Sequence, residues 1–336
     1  MKKKNSKLSI LLIVIDSLAL ICFFFAYGPI SFFRDYLVTT AMTTMTHKYF
    51  AYVLYDEQMV SNILDNNKII ESEDPTDTTK INIQPIIDTG TYDSIYEEQI
   101  LKKDEGNDIY KIVPIDEKNY KGNMIVVYDP SKIQLVFSKK YGGAGEYLST
   151  MAKNNKALVA INGSGVSNSS GNRVTGTAIK GGKVYAVGRY INKGGGLIGF
   201  TKDNILMLTK KTAKQAIADG MDRAVEFGPF LIVNGKESSF KGNGGWGIAN
   251  RTAIGQRQDG IVLLIVIDGR SKTSVGISMV DLKDIFVRYN AYNAANLDGG
   301  GSSAMYANGS LINKPVGYGY SGERYLPNAW MVLPEK

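Results

Sequence analysis

The alternation of apolar and polar residues divides the chain into stretches of different kinds. Residues 8–27 are almost uninterruptedly apolar. A helix rising ~1.5 Å per residue crosses a hydrocarbon core of ~30 Å in about this length. Lys2, Lys3, Lys4 and Lys7 precede the run, so the positive-inside rule predicts a cytoplasmic tail over 1–7, a transmembrane anchor over 8–27 and everything beyond on the outer side of the cell membrane. Asp16 interrupts the run at a cost of ~2.5–3.5 kcal/mol at mid-membrane, offset by the surrounding Leu, Ile and Phe. A cleaved signal peptide shares this basic-then-apolar pattern, but the run is long and no small-x-small cleavage site follows it; the expectation is an uncleaved, single-pass anchor. Residues 28–60 are half apolar, mixing Phe32, Phe33, Tyr49 and Phe50 with Arg34, Asp35, His47 and Lys48. They predict a juxtamembrane helical segment that lies along the membrane, packs on a partner or serves as a bare stalk. Residues 61–108, with Glu71-Ser-Glu-Asp-Pro-Thr-Asp at their centre, read as a flexible acidic linker.

From 109 to 336 the pattern is that of one folded domain. Short Val/Ile/Leu-rich runs bounded by Gly, Asn, Asp or Pro predict strands at 124–129, 132–138, 157–161, 174–179, 183–187, 196–200, 205–208, 224–233 and 261–268. Helices are expected only at 145–154, 211–219 and 278–290. In the last, Ser278 can cap, Asp281 can complete the cap, and Met279, Leu282, Phe286 and Tyr289 fall on one apolar stripe. The fold class is α+β: a mixed, strand-rich sheet with a few packed helices, preceded by one transmembrane helix.

Composition narrows the chemistry. The chain has one cysteine and one histidine. Cys22 lies in the apolar run and His47 just after it, so the domain has no disulfide, cysteine nucleophile, Ser-His-Asp triad or HExxH zinc site. Acid–base work there falls to Asp, Glu, Lys or Tyr. Residues 56–108 carry 14 acidic and 4 basic side chains, whereas 109–336 carry 29 basic and 16 acidic. A basic domain outside the cell suits a polyanionic partner such as a phosphate-bearing, teichoic-acid-like glycan or an anionic lipid surface, and no nucleic-acid partner is expected.

Candidate chemistry concentrates between 261 and 315. An apolar strand ends in Asp268-Gly-Arg270; a second ends in Asn296-Leu-Asp-Gly-Gly-Gly-Ser-Ser303. Gly299, Gly300 and Gly301 let the backbone approach a ligand closely, their N–H groups can form an anion nest, and Ser302 and Ser303 add hydroxyls. Asp298 then stands at the rim, beside whatever the nest holds. The same spacing also fits a tight turn in which the aspartate caps its own backbone. Asn162, Arg251 and Arg324 recur in the same strand-then-polar form, and arginine suits bidentate phosphate recognition.

Taken in order, Ala160-Ile-Asn-Gly163, Gly196-Leu-Ile-Gly-Phe200, Arg251-Thr-Ala-Ile-Gly255, Asp268-Gly-Arg270, Asn296-Leu-Asp-Gly-Gly-Gly-Ser-Ser303, Asn308-Gly309 and Arg324 with Pro327-Asn328-Ala329 make the chain resemble the phosphodiester glycosidase family, in particular its bacterial exopolysaccharide-associated members. The resemblance covers roughly 150–334. It departs at Asn162-Gly-Ser-Gly-Val166, where the family carries an aromatic pair, and at Ala304, commonly Thr. It implies hydrolysis of a sugar joined through its anomeric carbon to phosphate. Phosphate leaves without much protonation, so the pair of carboxylates usual in glycoside hydrolysis need not both be present. The expected roles are Asp298 as nucleophile or base, Asp268 as second acid/base or orienter, Glu226 as an outside catalytic candidate, Arg251, Arg270 and Arg324 on phosphate, and Asn162 and Asn296 on sugar or phosphate oxygens. No cofactor is required, though the paired carboxylates leave room for Ca²⁺ or Mg²⁺. A phosphodiesterase cutting P–O and a non-catalytic module binding anionic glycans or assembling exopolysaccharide remain as alternatives.

Overall fold

The computed structural model describes residues 2–44, 47–167, 170–188, 195–319 and 321–334; the side chains of residues 1–6, and with them the leading lysines Lys2–Lys4, lie outside that description. The chain forms two compact units, one of Met1–Ile69 with Phe240–Ile248, the other of Ile70–Ser239 with Ala249–Lys336.

The first unit begins with the helix Lys2–Tyr27, whose stretch Lys7–Tyr27 is, among the described residues, the one helix long and apolar enough to cross a membrane. Three shorter helices follow, Ser31–Thr43, Tyr49–Leu54 and Glu57–Asn66, the last capped by Asp56 Oδ1, which accepts the Met59 N–H at 2.7 Å. They close over a small core of Val38, Ala41, Ala51, Tyr55, Val60 and Ile63. The segment Phe240–Ile248 joins them through Asn243, whose N–H reaches Asn67 Oδ1 at 2.8 Å and whose amide reaches Thr39 Oγ1 at 3.1 Å.

The second unit is strand-rich α+β, as the pattern predicts, with its strands distributed over three sheets. One orders Lys236–Glu237, Phe230–Val233, Ala291–Leu297, Arg251–Arg257, Val262–Ile267, Lys121–Val127 and Tyr110–Asp116. The second orders Lys183–Val187, Thr177–Lys180, Met221–Phe227, Gly196–Thr201 and Leu206–Thr209, and the third orders Ser310–Leu311, Met305–Ala307, Val159–Asn162, Asn328–Val332 and Ile133–Phe137. Every recorded pairing in these sheets is antiparallel. All three contribute to one core, in which Val127, Leu264 and Leu297 meet Ile198, Phe200 and Val225 from the second sheet and Ile161, Met305 and Trp330 from the third; the Phe200 and Trp330 rings meet edge to face at 5.6 Å.

Two expectations are corrected. The run 224–233 is not one strand: it breaks at Gly228-Pro229 into Met221–Phe227 and Phe230–Val233, which lie in different sheets, because proline has no N–H with which to continue a ladder. Nor is 61–108 a free linker: it begins inside the helix Glu57–Asn66 and runs on through the strand Lys68–Ile70. Glu71 accepts the Phe230 N–H at 2.7 Å, the Thr76 and Leu208 main chains are tied at 3.1 Å, and the Asn82 N–H reaches the Gln258 carbonyl at 2.8 Å. Further on, Ile81 and Ile100 are buried and Tyr128 donates to the Ile100 carbonyl at 3.0 Å. A polar sequence here is held by the Glu71 carboxylate, by main-chain bonds at Thr76 and Asn82 and by single buried isoleucines, without an apolar period.

Helix Met279–Arg288 is capped as expected, Ser278 Oγ accepting the Asp281 N–H at 3.1 Å. Its stripe of Met279, Leu282, Phe286 and Tyr289 is buried. It packs on the strand Arg251–Arg257 at Gly255, where an added Cβ would lie 2.7 Å from the Phe286 ring. Gly255→Ala should therefore overpack this contact and cost about 1–3 kcal/mol, read as a lower thermal midpoint; an unchanged midpoint would show that the helix does not depend on this approach.

Candidate active site

Three neighbouring strands deliver the site. Arg251–Arg257 lies between Val262–Ile267 and Ala291–Leu297, with Arg251 opposite Ile267 and Thr252 opposite Leu297. Both flanking strands thus end in Asp-Gly corners, Asp268-Gly269 and Asp298-Gly299, on either side of Asn250 and Arg251. The glycines are needed there. A Cβ at Gly269 would lie 2.9 Å from the Asn250 amide oxygen, and one at Gly299 would lie 2.7 Å from the Asn250 carbonyl oxygen, which accepts the Gly300 N–H at 2.9 Å.

The triglycine turn collects positive charge. A Cβ built at Gly299 would lie 3.6 Å from Arg251 Cδ, and one at Gly300 would lie 3.7 Å from the Arg270 guanidinium. Gly300 itself has φ of +59°, a left-handed conformation that favours glycine. Arg251 is buried, and desolvation followed by repulsion from Arg270 pulls its guanidinium down to about 10. A buried guanidinium with an exposed one set against it favours an anion nearby.

Asp298 follows directly on the strand. Its edge is accessible, yet protein packs closely around it: burial pushes its carboxyl up to about 6, against the opposing pull of Arg324, the Ser302 hydroxyl and the Gly299 N–H. Desolvation outweighs three stabilising neighbours, so near neutrality this carboxyl is poised between its acid and base forms.

Other predicted residues act as braces. Asn162, expected on substrate, is fully buried; its Nδ2 donates to the Asp298 carbonyl at 2.7 Å, and its Oδ1 accepts from Thr252 Oγ1 at 2.8 Å and the Ala304 N–H at 3.2 Å. Both ends of its amide thus serve the turn. Asn296 is also buried; its Nδ2 donates at 2.8 Å to the Gly228 carbonyl, and its Oδ1 has no partner among the described residues. Ser303 is buried with its hydroxyl 3.2 Å from that of Thr252. Glu226 stands in the second sheet, where its carboxylate accepts the Thr177 N–H at 2.7 Å. Asp268 accepts from Asn313 Nδ2 at 3.1 Å and from the Lys314 N–H at 3.0 Å.

Asn313 is absent from the sequence reading. It bonds both Asp268 and, at 3.3 Å, the Ser303 carbonyl, so one amide joins the two acidic corners. Asn328 likewise fixes the loop after Asn162: its Oδ1 accepts the Ser164 N–H and its Nδ2 donates to Ser164 Oγ, both at 2.8 Å. Asn250 is fully buried and, among the described residues, neither atom of its carboxamide has a hydrogen-bond partner. No cluster of three or more His, Cys, Asp or Glu side chains suited to a metal occurs among the described residues.

A family model for phosphodiester glycosidase matches residues 155–333, which include every residue of this arrangement. The chain belongs to the phosphodiester glycosidase family. The match is to the family as a whole and leaves the exopolysaccharide branch without support. The chain is 34% identical over 178 residues to the SPbeta prophage-derived uncharacterized protein YomE of Bacillus subtilis, covering 50% of this chain and 27% of that protein. It is 37% identical over 68 residues to human N-acetylglucosamine-1-phosphodiester alpha-N-acetylglucosaminidase, covering 20% of this chain and 13% of that protein. The chain thus spans well under a third of the length of these curated relatives. The zebrafish enzyme of the same name, solved as a catalytic domain auto-inhibited by its pro-peptide, superposes with a TM-score of 0.56 at 21% identity over 67% of this chain and 83% of that one, a likeness of fold.

In the ligand-free protein, an NMR titration should find the Asp298 carboxyl near 6, and Arg324→Ala should raise it because a stabilising positive charge is lost. A carboxyl titrating in the ordinary range, unmoved by that substitution, would contradict the electrostatics described.

Proposed function

We propose that the second unit hydrolyses a glycosyl-1-phosphodiester in a phosphate-containing surface glycan such as a teichoic-acid-like polymer. One observation carries the reading: Arg251 and Arg270 converge on Gly299 and Gly300 immediately beyond a desolvated carboxyl, Asp298. An anionic group held by the arginines and the glycine amides puts the atom attached to it next to that carboxyl. For a glycosyl phosphate this atom is the anomeric carbon.

In the proposed reaction the bond between the anomeric carbon and the bridging oxygen breaks, and the phosphomonoester departs with that oxygen and the bonding electrons. Arg251, Arg270 and the turn amides stabilise the charge that grows there. The anomeric carbon gains its new oxygen from water, either directly, with ionised Asp298 accepting the proton, or after Asp298 has first formed a glycosyl ester. Arg324 keeps Asp298 from protonating fully. Asp268, Asn162 and Asn313 hold the two corners in register and act as positioning residues. Guanidiniums supply the positive charge in this scheme, which contains no step that calls on Ca²⁺ or Mg²⁺. A glycan-binding module would share the arginine corner, but binding alone gives no reason to desolvate a carboxyl beside it.

The apolar helix Lys7–Tyr27 supports an anchored enzyme, with its N-terminus in the cytoplasm and its second unit outside, where such polymers are found.

The full-length protein, offered a panel of glycosyl-1-phosphodiesters, should release free sugar, and Asp298→Asn should lose about 10²-fold or more of kcat/KM. Because the ionised carboxyl is the active form and its folded value is about 6, kcat/KM should climb as pH rises through that value and level off above it. Undiminished turnover by Asp298→Asn would remove the carboxyl from the mechanism; a rate falling with pH through the same range would reverse its role.

A further inference from the structure

The helix Ser31–Thr43 is apolar on two sides: Val38 and Ala41 face the core, and a second apolar set faces out. Phe32 is 58% and Phe33 46% exposed, and Leu37 is exposed as well. The charged pair on the same helix is turned inward: Asp35 accepts from the buried Asn67 amide at 3.1 Å and lies 3.5 Å from Arg34 Nε, both side chains being largely covered. A helix facing water presents charges outward and apolar residues to the core. The next helix, Tyr49–Leu54, adds Tyr49, Phe50 and Tyr52 to the exposed set.

This face is not isolated. Tyr27 donates to the Leu54 carbonyl at 2.7 Å and Tyr55 to the Ala26 carbonyl at 2.9 Å, so the end of the apolar helix is tied to the helix Tyr49–Leu54 and the residue after it. The Phe25 and Phe33 rings meet at 4.3 Å. The exposed aromatics therefore continue, without a polar break at that contact, the apolar surface of the segment that is long enough to span a bilayer.

We infer that this aromatic face seats in the boundary between lipid headgroups and acyl chains, as a collar around the outer end of the spanning helix. The inference rests on the anchoring reading above. Continuity with the spanning surface selects lipid over a protein partner: whatever covers Phe25 must also meet Phe33, and for a helix in a bilayer that medium is lipid. Aromatic side chains are the residues that interfaces take up, and a helix with its apolar side outward lies in that layer. Arg34 and Asp35, paired and turned inward, meet no lipid. The collar fixes the depth of the spanning helix by contact with the interface in addition to its own length.

The test uses the full chain in nanodiscs of phosphatidylcholine brominated either near the headgroup or near the chain end, with the emission of the parent's Trp246 and Trp330 subtracted. Leu18→Trp reports the middle of the span and Phe33→Trp the collar; Tyr52→Trp reports the same face should Phe33→Trp fail to fold. The collar predicts loss of the Leu18→Trp emission mainly to deep bromines, and of the Phe33→Trp or Tyr52→Trp emission mainly to shallow ones. Deep quenching of Leu18→Trp with none at the collar positions would overturn the collar and leave the anchor standing, the face being covered by water or protein. No quenching at any position would overturn both.

Discussion

The cost of holding charge out of water governs the second unit. Arg251 is buried with Arg270 set against it, and the Asp298 carboxyl is raised although Arg324, a hydroxyl and an N–H all favour its ionised form. Such a cluster persists only where the backbone is rigid enough to prevent each group from relaxing into solvent. The rigidity comes from three adjacent antiparallel strands ending together, from glycines at 269 and 299 that let Asn250 fit between the two corners, and from asparagine side chains spanning the gaps. The core shared by the three sheets lies behind these ends and keeps them in register.

The bracing has a division of labour. Asn162 holds the Asp298 carbonyl, Asn313 joins Asp268 to the carbonyl of Ser303, and Asn328 fixes the loop after Asn162. Each amide can both donate and accept, so it can tie together backbone groups that do not match each other directly. In the proposed function these residues act through the backbone and leave the arginines and a carboxylate for the ligand.

What the sequence made legible was local. The turn at 298–303, the corner at 268–270, the cap of Ser278 and its apolar stripe are each contained within a few residues, and each stands where the pattern put it. Direction was less legible. Asn162, Asn296 and Ser303 have the chemistry of ligand-binding residues, but composition and spacing do not say whether an amide on a strand end turns toward solvent or toward the next strand. Asn313 gave no signal, because its partner Asp268 lies 45 residues away. The strap beyond residue 70 escapes the sequence for the same reason: the Glu71 carboxylate on the Phe230 N–H and the main-chain bonds to Leu208 and Gln258 all reach partners far along the chain.

The central claim is that Asp298 serves attack at the anomeric carbon while the arginines hold the departing phosphate. Hydrolysis of a glycosyl-1-phosphodiester in water enriched in ¹⁸O tests it most directly. The account predicts the label in the released sugar and none in the phosphomonoester, because the C–O bond is the one that breaks. Label in the phosphate would mean cleavage of P–O, and would contradict the placement of the anomeric carbon beside Asp298.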